Sequence, residues 1–268
     1  MIEKKVASAR GMVYYQISDN WDTNGKTIFF LHGLTGNHTM FEKQVSYFEK
    51  NFNIIVWDAP AHGKSRPYAE FSYQNAVEDM KQILDDNGIE KVIMIGQSLG
   101  GYFIQSFLLR YPEMVQAFVG IDTTPYGIDY YSKSDMWWLR QVEWMAKLFP
   151  HKMLVKAMAK QVSVTEYTYN NMLEMLKPYE KNELCHLMGI GYASIFEENC
   201  DMDIKCPVLI LLGERDRTGK VKQYCKAWAK KTGFPLVLIK NAAHNANCDN
   251  PEDVNKAIEE FLKKHIPD

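Results

Sequence analysis

The stretch VIMIGQSLGGYFIQSFLL, residues 92–109, decides how this sequence is interpreted. Its first four residues are apolar at consecutive positions, which is typical of a strand buried on both faces of a parallel sheet. A turn from Gly96 to Gly100 follows, and the next residues have the apolar spacing of a helix that ends before Pro112. The pattern predicts a strand, a sharp turn that carries Ser98, and a helix.

Apolar runs of the same kind recur along the 268-residue chain and alternate with longer amphipathic segments. The predicted strands are residues 12–17, 27–31, 53–57, 91–95, 117–121, 208–212 and 236–239. Helices are predicted over residues 73–87, 99–111 and 251–264, each with capping or terminating residues at its ends. This alternation predicts an α/β fold with a mostly parallel central sheet flanked by helices.

One region breaks the alternation. Residues 125–200 contain no convincing strand and are rich in tryptophan, tyrosine and methionine with helical spacing. We expect a helical cap over the carboxyl edge of the sheet, inserted into a core domain of residues 1–124 and 201–268. Its aromatic and methionine side chains are expected to form mainly the cap's own core, with a subset lining a substrate pocket.

Composition excludes several classes of protein. The net charge is −2, so the chain lacks the basic excess with which nucleic-acid-binding proteins neutralise phosphates. Five cysteines without a C-x-x-C pair argue against a disulfide framework and favour a reducing compartment. The first ten residues are polar, so no signal peptide is expected, and no apolar run is long enough to span a bilayer. We therefore expect a cytoplasmic protein.

Ser98 is the candidate nucleophile, because G-x-S-x-G between a strand and a helix holds a serine on a strained, exposed turn. The amide of Leu99 would then face a developing oxyanion. A second donor is expected from the loop His32–Gly36, at the amide of Leu34, with the His32 side chain bonded to backbone. The competing interpretation is that both loops are structural turns.

A nucleophilic serine needs a base and an orienting acid. His244 follows the last predicted strand and is the favoured base, while His62, in a turn-rich loop after another strand, is its rival. Asp216 follows strand 208–212 and is the favoured acid, because the order serine, aspartate, histidine is that of α/β-hydrolases. Asp122, at the end of strand 117–121, is the alternative acid, and Asp216 could instead be a surface carboxylate paired with an arginine.

Taken together, these motifs resemble the α/β-hydrolase fold superfamily, in particular its cap-bearing esterase and lipase-like serine hydrolases. The resemblance extends from His32-Gly33 through the loop 58–65 and the turn 96–101 to the motif 213–216 and His244. It implies a cap inserted after the sixth strand. It also implies a catalytic set of Ser98, Asp216 and His244, with the amides of Leu34 and Leu99 as oxyanion donors.

The resemblance implies a carboxylesterase that acts on a small to medium apolar acyl or aryl ester, with no metal and no organic cofactor. The aromatic cap suggests that Trp137, Trp138 and Trp144 contact this small-molecule substrate. Carbon–carbon bond hydrolases, thioesterases and perhydrolases with the same triad remain open, as does a ligand-binding receptor on a hydrolase scaffold. A haloalkane dehalogenase is disfavoured, since Ser98 stands where an aspartate would be needed. The sequence leaves open whether the protein is a homo-oligomer.

Overall fold

A computed structural model describes residues 1–197 and 200–266. In this part of the chain, eight strands form one sheet in the order β1-β2-β4-β3-β5-β6-β7-β8. The strands are β1 (Ile2–Ser8), β2 (Gly11–Ile17), β3 (Thr27–Leu31), β4 (Asn53–Trp57), β5 (Val92–Gln97), β6 (Val115–Ile121), β7 (Val208–Gly213) and β8 (Leu236–Ile239). The first two strands are antiparallel, and all neighbouring pairs from β4 to β8 are parallel.

Eleven α-helices lie in the described residues, and those packed on the sheet cover its two faces. They are α1 (Glu42–Phe48), α2 (Tyr73–Asp86), α3 (Leu99–Arg110), α4 (Lys133–Leu139), α5 (Val142–Lys147), α6 (His151–Gln161), α7 (Glu166–Leu176), α8 (Lys181–Ala193), α9 (Val221–Thr232), α10 (Ala246–Asp249) and α11 (Pro251–His265). Helices α2, α3 and α9 contribute to the hydrophobic cluster on one face of the sheet, and α1 and α11 to the cluster on the other. The predicted α/β class with a mostly parallel sheet is confirmed.

Local sequence signals explain where these helices begin and end. The Ser72 side chain accepts a hydrogen bond from the amide of Asn75 at the start of α2, and Gly88, with φ +67°, follows its end. Asn250 caps α11 in the same way through the amide of Asp253. The strands at the centre of the sheet are buried at every position, as their unbroken apolar runs indicate.

Strand β1 was not predicted from the sequence. Its seven residues include three charged side chains, and Val6 is the only one of the seven that is buried. An edge strand packs on one side and pairs along one edge, so its hydrophobic pattern is weak. Its full antiparallel register with β2, from Ile2 opposite Ile17 to Ser8 opposite Gly11, comes from pairing across a tight turn.

Helices α4 to α8 all lie between β6 and β7, inside the segment predicted to be a helical cap. Their buried residues, such as Met172 and Leu184, belong to the same hydrophobic cluster as residues of β3 and α11. Two residues of the predicted cap, Glu198 and Asn199, and the last two of the predicted core, Pro267 and Asp268, lie outside the described residues. No helix in the described ranges is both long and apolar enough to cross a membrane.

Candidate active site

Ser98 occupies a strained turn between β5 and α3, with φ 49° and ψ −117°. Two hydrogen bonds hold this turn: the Ser98 amide donates to the Ile121 carbonyl (2.8 Å), and the Thr123 hydroxyl donates to the Ser98 carbonyl (2.7 Å). A Cβ atom on Gly100 would lie 1.9 Å from the carbonyl oxygen of Leu31, so only glycine fits at that position. The turn thus fixes Ser98 at the carboxyl edge of the sheet.

His244 and Asp216 continue a chain of hydrogen bonds from Ser98. The His244 Nε2 atom lies 2.9 Å from Ser98 Oγ, and its Nδ1 atom lies 2.9 Å from Asp216 Oδ2. Asp216 is in the turn after β7 and His244 in the loop after β8, and both are about 95% buried. An imidazole held between a hydroxyl and a carboxylate can accept the hydroxyl proton while the carboxylate stabilises the resulting charge.

The surroundings of Asp216 favour its ionised form. Burial by itself would raise the pKa of this carboxyl, but the adjacent His244 and a hydrogen bond from the Thr218 amide (2.7 Å) outweigh burial. The pKa of Asp216 is therefore lowered from its ordinary value. A carboxylate that remains ionised can orient the Nδ1–H of the imidazole toward itself.

Asp122, the alternative acid, makes different contacts. Its Oδ1 accepts the amide of Gly213 (2.7 Å) and its Oδ2 the amide of Ala246 (3.3 Å), so it links the loops that carry Asp216 and His244. Burial, and then the charge of Asp216, raise the pKa of Asp122 well above its ordinary value. In this arrangement Asp216 contacts the imidazole and Asp122 contacts backbone.

Ligand atoms of Asp122, Asp216 and His244 all lie within 4.8 Å of one another, and among the described residues this is the one group close enough to hold a metal ion. Hydrogen bonds to backbone amides already engage both Asp122 oxygens and Asp216 Oδ1, and Asp216 Oδ2 bonds the imidazole. The donor set therefore fits a proton-transfer chain better than a metal centre.

The two residues predicted to supply oxyanion donors belong to backbone segments next to Ser98. Leu99 is the first residue of α3, and amides in the first turn of a helix have no acceptor within that helix. Leu34 follows Gly33, where an added Cβ would lie only 3.2 Å from the Cβ of Ser98. The backbone of this loop therefore passes directly beside Ser98.

His32 holds the same loop in place. Its Nε2 accepts the amide of Ala59 (2.9 Å), so its Nδ1 carries the proton and donates to the carbonyl of Gly33 (2.8 Å). Burial lowers the pKa of His32 to about 4, which keeps the ring neutral. His32 thus has the backbone-bonding role expected from the sequence.

His62, the rival base, does not meet Ser98. It is fully buried, its Nδ1 donates to the carbonyl of Pro60 (2.8 Å), and its ring packs against His32 at a centroid distance of 5.2 Å. Burial lowers the pKa of His62 to about 3. The histidine that the fold brings to Ser98 is His244.

Two adjoining cavities open beside Ser98, and the walls of both include Leu34, Tyr192, Thr218 and His244. The first has a volume of about 190 Å³, and six of the fourteen described residues that line it carry thioether or aliphatic side chains, namely Leu34, Met40, Met158, Val162, Met172 and Met188. The second, about 120 Å³, carries more hydroxyl groups, from Tyr102, Thr124, Tyr131 and Tyr224. Both cavities are therefore mostly apolar, and the second offers more hydroxyl groups.

The structure corrects the expected placement of the three tryptophans. Trp137, Trp138 and Trp144 are 53%, 53% and 50% exposed, and within the described residues neither cavity beside Ser98 includes them in its walls. They sit on α4 and α5, where helical spacing turns their side chains outward while neighbouring positions face inward. Aromatic content alone did not reveal which face of each helix would be covered.

Gln97 is a site residue that the sequence analysis missed. Its side-chain amide donates to the carbonyl of His244 (2.8 Å) and contacts Asn245 (3.3 Å), and it is 99% buried. It therefore ties the turn of Ser98 to the loop of the histidine. Its position directly before the serine was the available signal, but its partner is 147 residues away in sequence.

The fold is that of the α/β-hydrolases, and comparisons with known proteins agree. A profile of the alpha/beta hydrolase fold matches residues 26–153. The chain is 25% identical to the carboxylesterase YbfK of Bacillus subtilis, over 88% of this chain and 80% of that protein. It is 23% identical to 3-oxoadipate enol-lactonase 2 of Acinetobacter baylyi, over 88% of each.

Among solved structures, a thermophilic esterase from Thermogutta terrifontis superposes with a TM-score of 0.80, at 20% identity, covering 99% of this chain and 100% of that one. The chain has the α/β-hydrolase fold, and its similarity to proteins named esterase and carboxylesterase supports a hydrolase.

Proposed function

We propose that this protein is a serine hydrolase that cleaves carboxylic esters through an acyl-enzyme. In this proposal Ser98 is the nucleophile, His244 the general base and Asp216 the acid that orients it. The observation that carries the proposal is the unbroken hydrogen-bonded chain of Ser98 Oγ, His244 and Asp216, with 2.9 Å at both steps, beside an apolar cavity.

The first half of the reaction forms the acyl-enzyme. His244 Nε2 takes the proton of Ser98 as Oγ bonds to the carbonyl carbon, and the carbonyl oxygen becomes an oxyanion. The amides of Leu34 and Leu99 donate to this oxyanion, and Asp216 stabilises the imidazolium. The tetrahedral intermediate then collapses, the carbon–oxygen bond to the alcohol breaks, and His244 gives its proton to the departing oxygen.

The second half restores the enzyme. His244, again neutral, takes a proton from a water molecule as the water oxygen bonds to the acyl carbon. The second tetrahedral intermediate breaks its bond to Ser98 Oγ, which recovers the proton from His244, and the carboxylic acid leaves. The strained turn supports both halves, since its two hydrogen bonds hold the backbone of Ser98 in place.

The cavities favour an ester with an apolar acyl or aryl group. The larger one has four methionines in its walls, and methionine side chains adapt to irregular apolar shapes. We place the acyl group there and the alcohol portion in the smaller cavity, whose tyrosine and threonine hydroxyls can bond polar atoms. The helices of segment 125–200 act as a cap, since Met158, Met172 and Met188 belong to this wall.

Relatives named as a carboxylesterase and an enol-lactonase support the same bond type, because open esters and lactones share the acyl carbonyl that a serine attacks. Thioesters and carbon–carbon bonds next to a carbonyl would use the same residues, so a substrate panel decides among them.

A fluorophosphonate probe tests the nucleophile directly. We expect peptide mass spectrometry to find the phosphonyl group on Ser98, no labelling of Ser98→Ala, and normal labelling of Ser46→Ala, whose hydroxyl bonds a carbonyl on the surface helix α1. Labelling at another residue, or none in the folded wild type, would refute the proposal. A panel of esters, lactones, thioesters, amides and vinylogous diketones then assigns the bond, and exclusive turnover of the diketones would replace the ester assignment.

A further inference from the structure

The outer side of helices α4 to α6 exposes a concentration of apolar side chains. Six of them are 50–71% exposed, and they are half of the large exposed apolar side chains found among the described residues. We call them the exposed apolar cluster: Trp137, Trp138, Trp144, Leu148, Phe149 and Met153. Such surface is uncommon unless it meets a partner or a membrane.

The three tryptophans of this cluster lie close together. The rings of Trp137 and Trp138 meet edge to face, with centroids 4.7 Å apart. Gln141 connects them to Trp144, since its Oε1 accepts the indole N–H of Trp144 (2.9 Å) and its amide donates to the Trp137 carbonyl (3.3 Å). Leu148 and Phe149 follow directly after α5.

The same stretch is strongly basic. Residues 137–160 hold five lysine or arginine residues and one acidic residue, Glu143, for a net charge of +4 in a chain whose net charge is −2. Glu143 already pairs with Lys147 at 2.6 Å. Lys152, Lys156 and Lys160 are exposed and recur every four residues along α6. An exposed tryptophan-rich surface beside a lysine stripe has the composition of an interfacial membrane-binding surface.

These helices also separate the catalytic cavities from the outside. Leu139, at the end of α4, lines the second cavity, and Met158 and Gln161 of α6 line the first. A partner bound to the outer side of α4 to α6 would therefore lie within one helix layer of Ser98.

We propose that the exposed apolar cluster and the lysines of α6 form a docking surface for an anionic lipid bilayer. The aromatic and aliphatic side chains enter the headgroup region, and the lysines face the negative lipid phosphates. A second copy of the chain fits less well, because a two-fold contact through this face would bring the same basic residues together. The proposal does not depend on the chemistry at Ser98.

Sedimentation with lipid vesicles tests the proposal, using the full chain carrying Ser98→Ala so that no lipid is hydrolysed. We expect binding to vesicles of phosphatidylcholine and phosphatidylglycerol in equal parts, and much weaker binding to phosphatidylcholine alone. Tryptophan fluorescence should shift to shorter wavelength on binding, since three of the six tryptophans belong to the cluster. Equal binding to both vesicle types, or none to either, would overturn the proposal.

Two charge variants separate this surface from general electrostatic attraction. Lys152→Gln with Lys156→Gln should lower the vesicle partition coefficient about 25-fold, at about fivefold for each lysine near an anionic surface. Lys226→Gln with Lys230→Gln removes two exposed lysines with the same spacing from α9 and should have little effect. Equal losses in the two variants would reject a specific docking face.

The contribution of apolar side chains to vesicle binding can be tested with a double variant in the cluster and a matched double variant elsewhere. Leu148→Thr with Phe149→Thr should weaken partitioning more than tenfold, because both changes remove apolar groups that would be buried among the lipids. Val237→Thr with Leu238→Thr, on the exposed strand β8, should leave it unchanged. Each variant must keep the thermal transition of the wild type. If vesicles do not bind but light scattering shows a dimer that Leu148→Thr with Phe149→Thr dissociates, the occupant is a second copy and the lipid proposal fails.

Discussion

Ser98, Asp216 and His244 lie in turns whose backbone is held by the parallel sheet, whereas the side chains that close the cavity come from helices between β6 and β7. In the turn of Ser98, two hydrogen bonds hold the backbone, and Gly100 leaves no room for a Cβ atom. In the helices, positions depend on which face packs inward. The carboxyl edge of the sheet therefore positions Ser98, His244 and Asp216, while the inserted helices shape the cavity beside them.

The largest effect is expected when the proposed nucleophile Ser98, at the carboxyl edge of the sheet, is removed. Ser98→Ala should lower kcat on any ester substrate by on the order of a million-fold, because a triad without its nucleophile retains only the contribution of binding and the oxyanion donors. The thermal transition should change little, and kcat from single-turnover and steady-state assays provides the measurement. A variant that keeps a tenth of the wild-type activity would exclude Ser98 as the nucleophile.

The two carboxylates at this edge are expected to behave differently. Asp216→Asn should reduce kcat by about ten-thousand-fold with little loss of stability, since an amide favours the wrong imidazole tautomer. Asp122→Asn should instead cost about 1–3 kcal/mol in the free energy of unfolding, because it disturbs the bonds to the amides of Gly213 and Ala246. Parallel denaturation and kinetic measurements would show the opposite pattern if Asp122 were the acid.

The methionines that α6, α7 and α8 contribute to the cavity wall should affect which ester is preferred more than the rate of the chemical step. Met158→Ala and Met188→Ala should each change the ratio of kcat/KM between a long-chain ester and an acetate ester by about tenfold, since one methylene contributes about 1–3 kcal/mol in an apolar pocket. Trp137→Ala, outside both cavities, is the control and should leave that ratio unchanged. A larger change for the tryptophan variant would restore the expectation from sequence that the cap tryptophans contact the substrate.

The pH dependence of activity should depend on the proposed catalytic residues at the carboxyl edge of the sheet and not on His62. On the acid side of the profile activity should fall about tenfold per pH unit, because a protonated base cannot accept the proton of Ser98. The lowered pKa of Asp216 keeps its carboxylate ionised there, and His62 and His32, with pKa values of about 3 and 4, stay neutral. His62→Ala should therefore keep the same profile, and a lost or displaced limb in that variant would assign the base to His62.

The sequence by itself determined the central strands and the order of the functional motifs. Strands 27–31 and 53–57 were predicted with the bounds that the structure has, because strands buried on both faces are mostly apolar runs. The edge strand 236–239 was also predicted with its observed bounds, from four consecutive apolar residues. The G-x-S-x-G turn was predictable for a similar reason: its strain and close packing require glycine at particular positions. Such requirements are local, so they are written in neighbouring residues.

Only the tertiary structure decided the rest. Residues 2–8 pair as an edge strand although most of them are charged or exposed, because β2 supplies the partner. It also decided that His244 rather than His62 meets Ser98, that Gln97 reaches the histidine loop, and that methionines rather than tryptophans wall the cavity. These contacts join residues far apart in sequence, and the face that a short helix buries depends on the surface it packs against.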